Sequence, residues 1–283
     1  MMISNQQNNI YNNYTQQKPV KVNFTASPDA EKLAFKTKDF FIRIRGYGKN
    51  KKWAEKVIEA TDNTVKELRE GKDYDVVLSD LAKGMGRASQ KCDEFAKQYY
   101  SGILRVDRPG YNSTGEVHKT NLRTEAQNQY KSYKKRLHKR VVNPLPNPYP
   151  NISLTKIIDE NKNTIMIHGD KEAINNALDM VNKLFNGLKI HIEKPEQVSA
   201  KNLDEINSTI AEIRWIMAHA TPWERGSDAI ANSFMRALYK SMGIKTYQSK
   251  RGLSFDLQAY CTPLEEYKEN FSSYFRKKPK VME

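Results

Sequence analysis

Two apolar stripes with helical spacing, joined by a short turn, constrain the fold more than any other feature of this sequence. The first stripe consists of Leu203, Ile206, Ile210, Ile213 and Met217. The second consists of Ile230, Phe234, Leu238 and Met242. This spacing predicts two amphipathic helices, and Trp215 on the other side of the first predicts that it is buried on both faces. Pro222 and Gly243 favour helix ends, so we expect helices over residues 200–220 and 228–242 that pack together.

Composition divides the rest of the chain into segments. Residues 1–28 are rich in Asn and Gln without apolar periodicity, which predicts a disordered leader rather than a cleavable signal peptide. The composition predicts a basic α+β region over residues 29–142 and a mainly helical domain over residues 151–283. The prolines of residues 143–150 predict a linker between them. The predicted fold class is α+β, mainly α-helical, with a few short strands. We expect a cytoplasmic protein, or one secreted without a cleavable signal.

Short segments of alternating polarity predict the strands. They cover residues 40–45, 102–106, 164–168 and 189–193. Gly84 and Gly86 interrupt a helix predicted from about residue 74 to 100, and Gly187 ends an amphipathic helix that begins at Asp170. The last two strands flank that helix, either as a βαβ-like unit or as an antiparallel pair, and the pattern leaves both arrangements open.

The net charge of +14 lies almost entirely in the first half of the chain. Residues 1–150 contain 28 basic and 16 acidic residues, a net charge of +12. The densest basic run contains Lys131, Lys134, Lys135, Arg136, Lys139 and Arg140. Such a run attracts nucleic acid, anionic lipid or an acidic protein partner, but it is also typical of a solvated helix face. No zinc-finger or RNA-binding motif accompanies it, so nucleic acid is only one of these alternatives.

Several classes of protein are excluded by the sequence. No stretch approaches the roughly 20 consecutive apolar residues of a membrane-spanning helix. Two cysteines, Cys92 and Cys261, are too few for a disulfide-dense scaffold or a four-cysteine zinc site. The histidines never occur at metal-ligand spacing, so no histidine metal site is expected. No Gly-x-x-x-x-Gly-Lys-Ser loop is present to indicate a P-loop NTPase.

The turn between the two striped helices contains groups that bind anions. Gly226 and Ser227 lead the amide N–H groups of the second helix towards one point, at the positive end of its dipole. Arg225 adds a guanidinium group, and Arg251 in a later turn could reach the same place. Arg225, Gly226 and Ser227 are therefore candidate phosphate-binding residues, although a plain helix cap would have the same sequence.

Two further residues qualify this site. His219 lies at the end of the first helix, where the dipole favours a charged imidazole, and is a candidate catalytic base as well as a candidate packed histidine. Asp228 in the first turn of the second helix competes for the same positive dipole end. An anion can bind there only if the positive charge of Arg225, alone or with Lys250 or Arg251, outweighs the Asp228 carboxylate, or if Asp228 holds a magnesium ion.

Residues 208–243 resemble the core of the Fic/Doc (Fido) family, where a His-Pro-Phe-x-x-Gly-Asn-Gly-Arg turn joins two apolar helices. The residues in register with its Pro, Phe, first Gly and Asn are Pro222, Trp223, Gly226 and Ser227. Thr221 stands in the position of the catalytic histidine, and Asp228 and Ala229 replace the second glycine and the arginine. The resemblance implies that His219 acts as the base from a displaced position.

The resemblance implies a transferase that moves a nucleotide phosphate moiety, usually AMP, onto a protein hydroxyl. The sequence leaves its cofactors open, with ATP as a candidate nucleotide donor and Mg²⁺ as a candidate ion at Asp228. The residues expected to support the site are Pro222, Trp223, Glu224, Asp228 and Arg251. Such an enzyme would be a bacterial effector or toxin delivered to a target protein. Two alternatives remain open on the sequence: a non-catalytic basic protein that docks an acidic partner, and a nucleic-acid binder through residues 119–140.

Overall fold

The structure is a computed structural model that describes residues 32–41, 50–92, 101–111, 119–122, 124–136, 145–160 and 163–282. The leader predicted over residues 1–28 lies outside the described residues, as do most of the strand predicted over residues 40–45 and the basic residues Lys139 and Arg140. The structure does not describe the side chains of Lys134, Lys135 and Arg136. The side chain of Lys131 is described and is exposed.

The described chain is mainly helical, which confirms the predicted fold class. The helices are α1 (Lys51–Arg69), α2 (Tyr74–Cys92), α3 (Thr124–Arg136), α4 (Lys171–Glu193), α5 (Leu203–Ala220), α6 (Ser227–Ser241), α7 (Phe255–Ala259) and α8 (Leu264–Asn270). The strands are β1 (Lys119–Asn121), β2 (Lys156–Glu160), β3 (Asn163–Ile167), β4 (Ile244–Lys245) and β5 (Lys280–Val281).

Helix α5 lies at the centre of the core. It contacts α4, α6, α7 and α8, and every residue from Ile213 to Ala220 is buried. Trp215 is buried opposite the apolar stripe, with its indole N–H donating to the Thr262 carbonyl at 3.0 Å. The prediction of a helix buried on both faces and packed against the next one is confirmed. Helix α6 in turn packs on α1 and α2.

The small sheet has the strand order β1-β3-β2, and both pairings are antiparallel. Its central strand confirms the strand predicted over residues 164–168. The strand predicted over residues 189–193 is wrong, because α4 continues to Glu193. Buried Phe185, Leu188 and Ile192 follow helical spacing there, whereas Ile190 of the alternating pattern is 46% exposed.

Two glycines shape the contact between α2 and the following segment. Helix α2 runs unbroken through Gly84 and Gly86, so neither glycine is the helix break that was predicted. A Cβ on Gly86 would lie 2.5 Å from the Ser101 carbonyl oxygen, and one on Gly102 would lie 2.2 Å from the Ala82 carbonyl oxygen. Gly86 and Gly102 are therefore needed for the close approach of two backbones.

Residues 102–106 do not form the predicted strand. The segment makes isolated bridges, Ser101 with Arg225 and Leu104 with Trp223, and then a 3-10 turn over Arg105–Asp107. It thereby lies directly against the turn between α5 and α6. Glu224 N–H donates to the Ile103 carbonyl at 3.0 Å, which joins the two segments further.

The described part of the proline-rich segment lies against α5. The Tyr149 hydroxyl donates to the Glu212 carboxylate, which Lys268 of α8 also contacts at 3.0 Å. The Asn147 side chain donates to the Ile152 carbonyl at 2.6 Å. The predicted division of the chain at residues 143–150 stays a prediction.

Candidate functional site

A cleft of about 590 Å³ opens beside the turn that joins α5 to α6. Its aromatic lining consists of Phe40, Phe41, Trp53, Trp223, Phe255 and Tyr260. Its ionisable lining includes Asp39, Arg105, His168, Glu224, Arg225, Asp228, Arg236 and Asp256. A concave site with aromatic walls and a few convergent polar groups is the usual form of a ligand site.

The predicted turn forms one wall of this cleft. Arg225, Gly226, Ser227 and Asp228 all line it, so the structure brings these candidates together. Gly226 caps α6 with a φ of 86°, a conformation that favours glycine. The Ser227 hydroxyl accepts from the Trp223 N–H at 3.0 Å and donates to the Trp223 carbonyl at 2.9 Å, which fixes the turn.

Buried Arg105 holds the turn from the other side. Its Nε donates to the Thr221 carbonyl at 2.8 Å, and its Nη1 lies 3.1 Å from Glu224 Oε2. Arg108 contacts the second oxygen of Glu224 at 3.2 Å. Burial lowers the pKa of Arg105, and the Glu224 carboxylate opposes this effect. Glu224 therefore serves as an anchor of the turn.

The carboxylate of Asp228 is directed towards Arg214 of α5. Arg214 is fully buried, donates to Asp228 Oδ1 through Nη2, and donates to the Asn232 side chain at 3.3 Å. Burial lowers the pKa of Arg214, but Asp228 raises it above its ordinary value. Burial and the Asp256 carboxylate raise the pKa of Asp228, against the effects of Arg214 and Asn232. This ion pair balances the charge of Asp228 at the helix N-terminus.

A chain of three polar side chains, which the sequence did not predict, also lines the cleft. His168 is buried, with Nδ1 2.6 Å from the Thr221 hydroxyl and Nε2 2.7 Å from the Thr120 hydroxyl. A neutral imidazole donates through one nitrogen and accepts through the other, so one of the two threonines donates to the ring. The only local signal was the position of His168 at the end of a strand.

Thr221 adopts a left-handed backbone conformation with a φ of 42°. Such a conformation is strained for a β-branched residue and persists only where the surrounding structure imposes it. Here the Thr221 carbonyl is held by Arg105 and its hydroxyl by His168. The strain therefore lies at the wall of the cleft.

His219, the predicted base, lies in the core and does not line the cleft. It is 1% exposed and packs against Trp215 and Tyr260, with ring centroids 4.2 and 5.5 Å away. Its Nε2 lies 3.2 Å from the Ala259 carbonyl, and burial lowers its pKa to about 3. A neutral, enclosed imidazole cannot exchange protons with a ligand in this conformation.

Two arginines differ from expectation. Arg251 is exposed and is not part of the cleft lining, although it was expected to reach the site. Arg236, not predicted, is 3% exposed and lines the cleft, with Nη1 3.1 Å from the Thr246 hydroxyl and the guanidinium 5.3 Å from the Phe40 ring centroid. Burial lowers its pKa to about 10.

Within the described ranges, no helix is long and apolar enough to cross a membrane. In that same part of the chain, no group of three or more His, Cys, Asp or Glu side chains is arranged to hold a metal ion.

Comparison with known proteins changes the family assignment. Residues 52–278 match the AvrB_AvrC family, described as avirulence protein, which is a family of bacterial effectors. No curated protein matches the sequence. The family match overturns the expected membership of the Fic/Doc family, and the AMP transfer inferred from that resemblance is wrong with it. Because the match spans most of the sequence, the chain belongs to the AvrB_AvrC family of avirulence proteins.

Proposed function

We propose that this protein is an effector that is delivered into a host cell, and that it acts there on a host protein through the cleft beside α6. Family membership supports the effector role and a protein target. The main support for the cleft as the functional site is the set of buried charged side chains around it. Arg105, Arg214 and Arg236 are each at most 6% exposed.

Burial of charged groups is costly to folding, and an apolar replacement of similar volume is often neutral or stabilising. Perturbed, buried charged groups are concentrated at functional sites in proteins, so their position around one cleft supports a binding site there. Neither the burial of these arginines nor their charge depends on any resemblance to the Fic/Doc family.

The proposed ligand places an anionic group against Arg225, Gly226 and Ser227. The amides of the first turn of α6 and the Arg225 side chain favour a negative charge there. Asp228, which would repel an anion, is paired with Arg214. The cleft also contains Asp39 and Asp256, so the rest of the ligand meets carboxylates as well as aromatic rings.

A calorimetric titration of pyrophosphate into the full chain tests the anion site. We expect saturable binding by the wild type and a loss of about 10-fold or more in Arg225→Ala, because a charge-assisted hydrogen bond contributes about 1.5–3 kcal/mol. Arg87→Ala is the matched control, since this exposed arginine of α2 does not line the cleft. Equal losses in both variants, or no binding by the wild type, would refute the site.

A steric variant tests whether the same cleft engages the host protein. Ala229 lines the cleft, and Ala229→Trp should fill it, whereas Ala200 is exposed and Ala200→Trp leaves it open. Each form is expressed in host cells and proximity labelling of host proteins is compared. Loss of the labelled proteins in Ala229→Trp alone supports the proposal, and an unchanged set excludes the cleft as the target site.

A further inference from the structure

Two chain segments that are far apart in sequence pair to form a basic ribbon, which we define as residues 244–251 and 275–281. Lys245 of β4 is opposite Lys280 of β5, and Ser249 bridges to Phe275. The Arg276 N–H also donates to the Gln248 carbonyl at 2.8 Å. The cations of the ribbon are Lys245, Lys250, Arg251, Arg276, Lys277, Lys278 and Lys280.

No acidic residue occurs in either arm of the basic ribbon or in the residues next to it, over 243–255 and 271–282. Six of the seven cations are exposed, and Lys245 is half-buried. The Lys277 ammonium nitrogen lies over the Tyr247 ring, 5.7 Å from its centroid, so the two arms also meet through side chains. The pairing therefore brings seven positively charged residues into two adjacent chain segments.

The exposed lysines of α1 and α2 provide a contrast. Lys51, Lys66 and Lys83 lie 3.8, 3.8 and 3.3 Å from Glu55, Glu70 and Asp80, respectively, one turn away along the helix. No ion pair of this kind involves the seven cations of the basic ribbon among the residues that the structure describes. The ribbon is thus a concentrated positive field, while the helical surface is close to neutral.

We propose that the basic ribbon binds an anionic membrane surface. Clusters of about 4–8 Lys or Arg attract the negatively charged lipids of a cytoplasmic leaflet, and each charge adds to the affinity without needing a pocket. Five of the seven cations are lysines, whose compact ammonium groups suit a diffuse layer of lipid phosphates. Recognition of one discrete carboxylate or phosphate favours the planar fork of arginine instead.

Sedimentation with vesicles tests this proposal on the full chain. The probes are vesicles of phosphatidylcholine alone and vesicles with about 30% phosphatidylserine, in about 0.1 M salt, where screening acts over about 10 Å. The ribbon variant combines Arg276→Gln, Lys277→Gln and Lys278→Gln. The control combines Lys51→Gln, Lys52→Gln and Lys66→Gln, which removes the same net charge from exposed positions of α1.

The wild type should bind only the anionic vesicles, and binding should weaken as salt is raised. The ribbon variant should lose about 100-fold in vesicle affinity, and the α1 control should lose much less, with unchanged thermal melting in both. Equal losses would show that net charge alone is responsible and would overturn the proposal. So would unchanged binding by the ribbon variant, or ribbon-dependent binding of a poly-glutamate peptide without binding of anionic vesicles.

Discussion

Arg214 is fully buried in α5 and donates to Asp228 in the first turn of α6, so an ion pair joins the two central helices behind the wall of the cleft. One Arg214 nitrogen, Nη1, is buried without a hydrogen-bond partner. The ion pair therefore keeps the Arg214 charge in the core at a cost in folding free energy. Its other member, Asp228, lines the cleft. A structural link of this kind couples the stability of the core to the geometry of the cleft.

Replacement of Arg214 by Met should destabilise the protein by about 2–4 kcal/mol, because it leaves the Asp228 carboxylate without its charged partner. This loss of stability is smaller than that expected for a fully enclosed ion pair, because the Asp228 side chain is 35% exposed. Urea unfolding measures the change. The double variant Arg214→Met with Asp228→Asn should recover part of the loss, and a double variant less stable than the single one would contradict this account.

The helices around the cleft were predictable because their signals are local. The stripes of α5 and α6 and the residues Pro222 and Gly226 define two helices and the turn between them without knowledge of any distant contact. The end of α4 was not predictable in this way. An alternating pattern over residues 189–193 fits a strand as well as a helix. The chain is helical there because helical spacing buries both Leu188 and Ile192 in the core.

The composition of the site was less accessible from the sequence. Thr120 and Thr221 meet His168 through contacts over 48 and 53 residues of sequence, and no local pattern encodes such a meeting. The family assignment failed for a related reason. A helix, a proline, an aromatic residue and a glycine in order describe a common turn, and they do not specify which side chains face the cleft.

His219 should make the protein less stable in mild acid. Burial lowers its pKa to about 3 from the ordinary value of 6.5, so the folded protein keeps it neutral while the unfolded chain takes up a proton below about pH 6.5. The contribution of neutral His219 to the free energy of unfolding is complete above about pH 6.5 and is lost as the pH falls towards 3. Between pH 7 and pH 5 this loss amounts to about 2 kcal/mol.

The variant His219→Gln isolates this effect. Its free energy of unfolding in urea should fall by about 2 kcal/mol less than that of the wild type between the two pH values, because the other titrating groups are common to both proteins. An equal fall in the two proteins would mean that His219 does not stay neutral in the fold.

Gly86 should tolerate no side chain. A Cβ there would lie 2.5 Å from the Ser101 carbonyl oxygen, so Gly86→Ala must displace the segment that bridges to Arg225. We expect a loss of about 2–3 kcal/mol in unfolding free energy. Gly187→Ala is the matched control, since a Cβ at this position of α4 would meet no neighbouring atom within 4 Å, and it should stabilise the helix by about 1 kcal/mol. Similar effects at the two positions would argue against the close approach of the backbones.

Thr221 should be needed for its hydroxyl as well as for its shape. Thr221→Val keeps the branched side chain but leaves His168 Nδ1 without the hydroxyl that lies 2.6 Å away, and a buried polar group that loses its partner costs about 1–3 kcal/mol. Thr61→Val is the control: the Thr61 hydroxyl donates to the Val57 carbonyl at 2.7 Å within α1, and that carbonyl keeps its helical hydrogen bond. We expect a change of about 0.5 kcal/mol or less there. Urea unfolding compares the two variants, and a loss at Thr221 no larger than that at Thr61 would show that the Thr120–His168–Thr221 chain contributes little to the wall of the cleft.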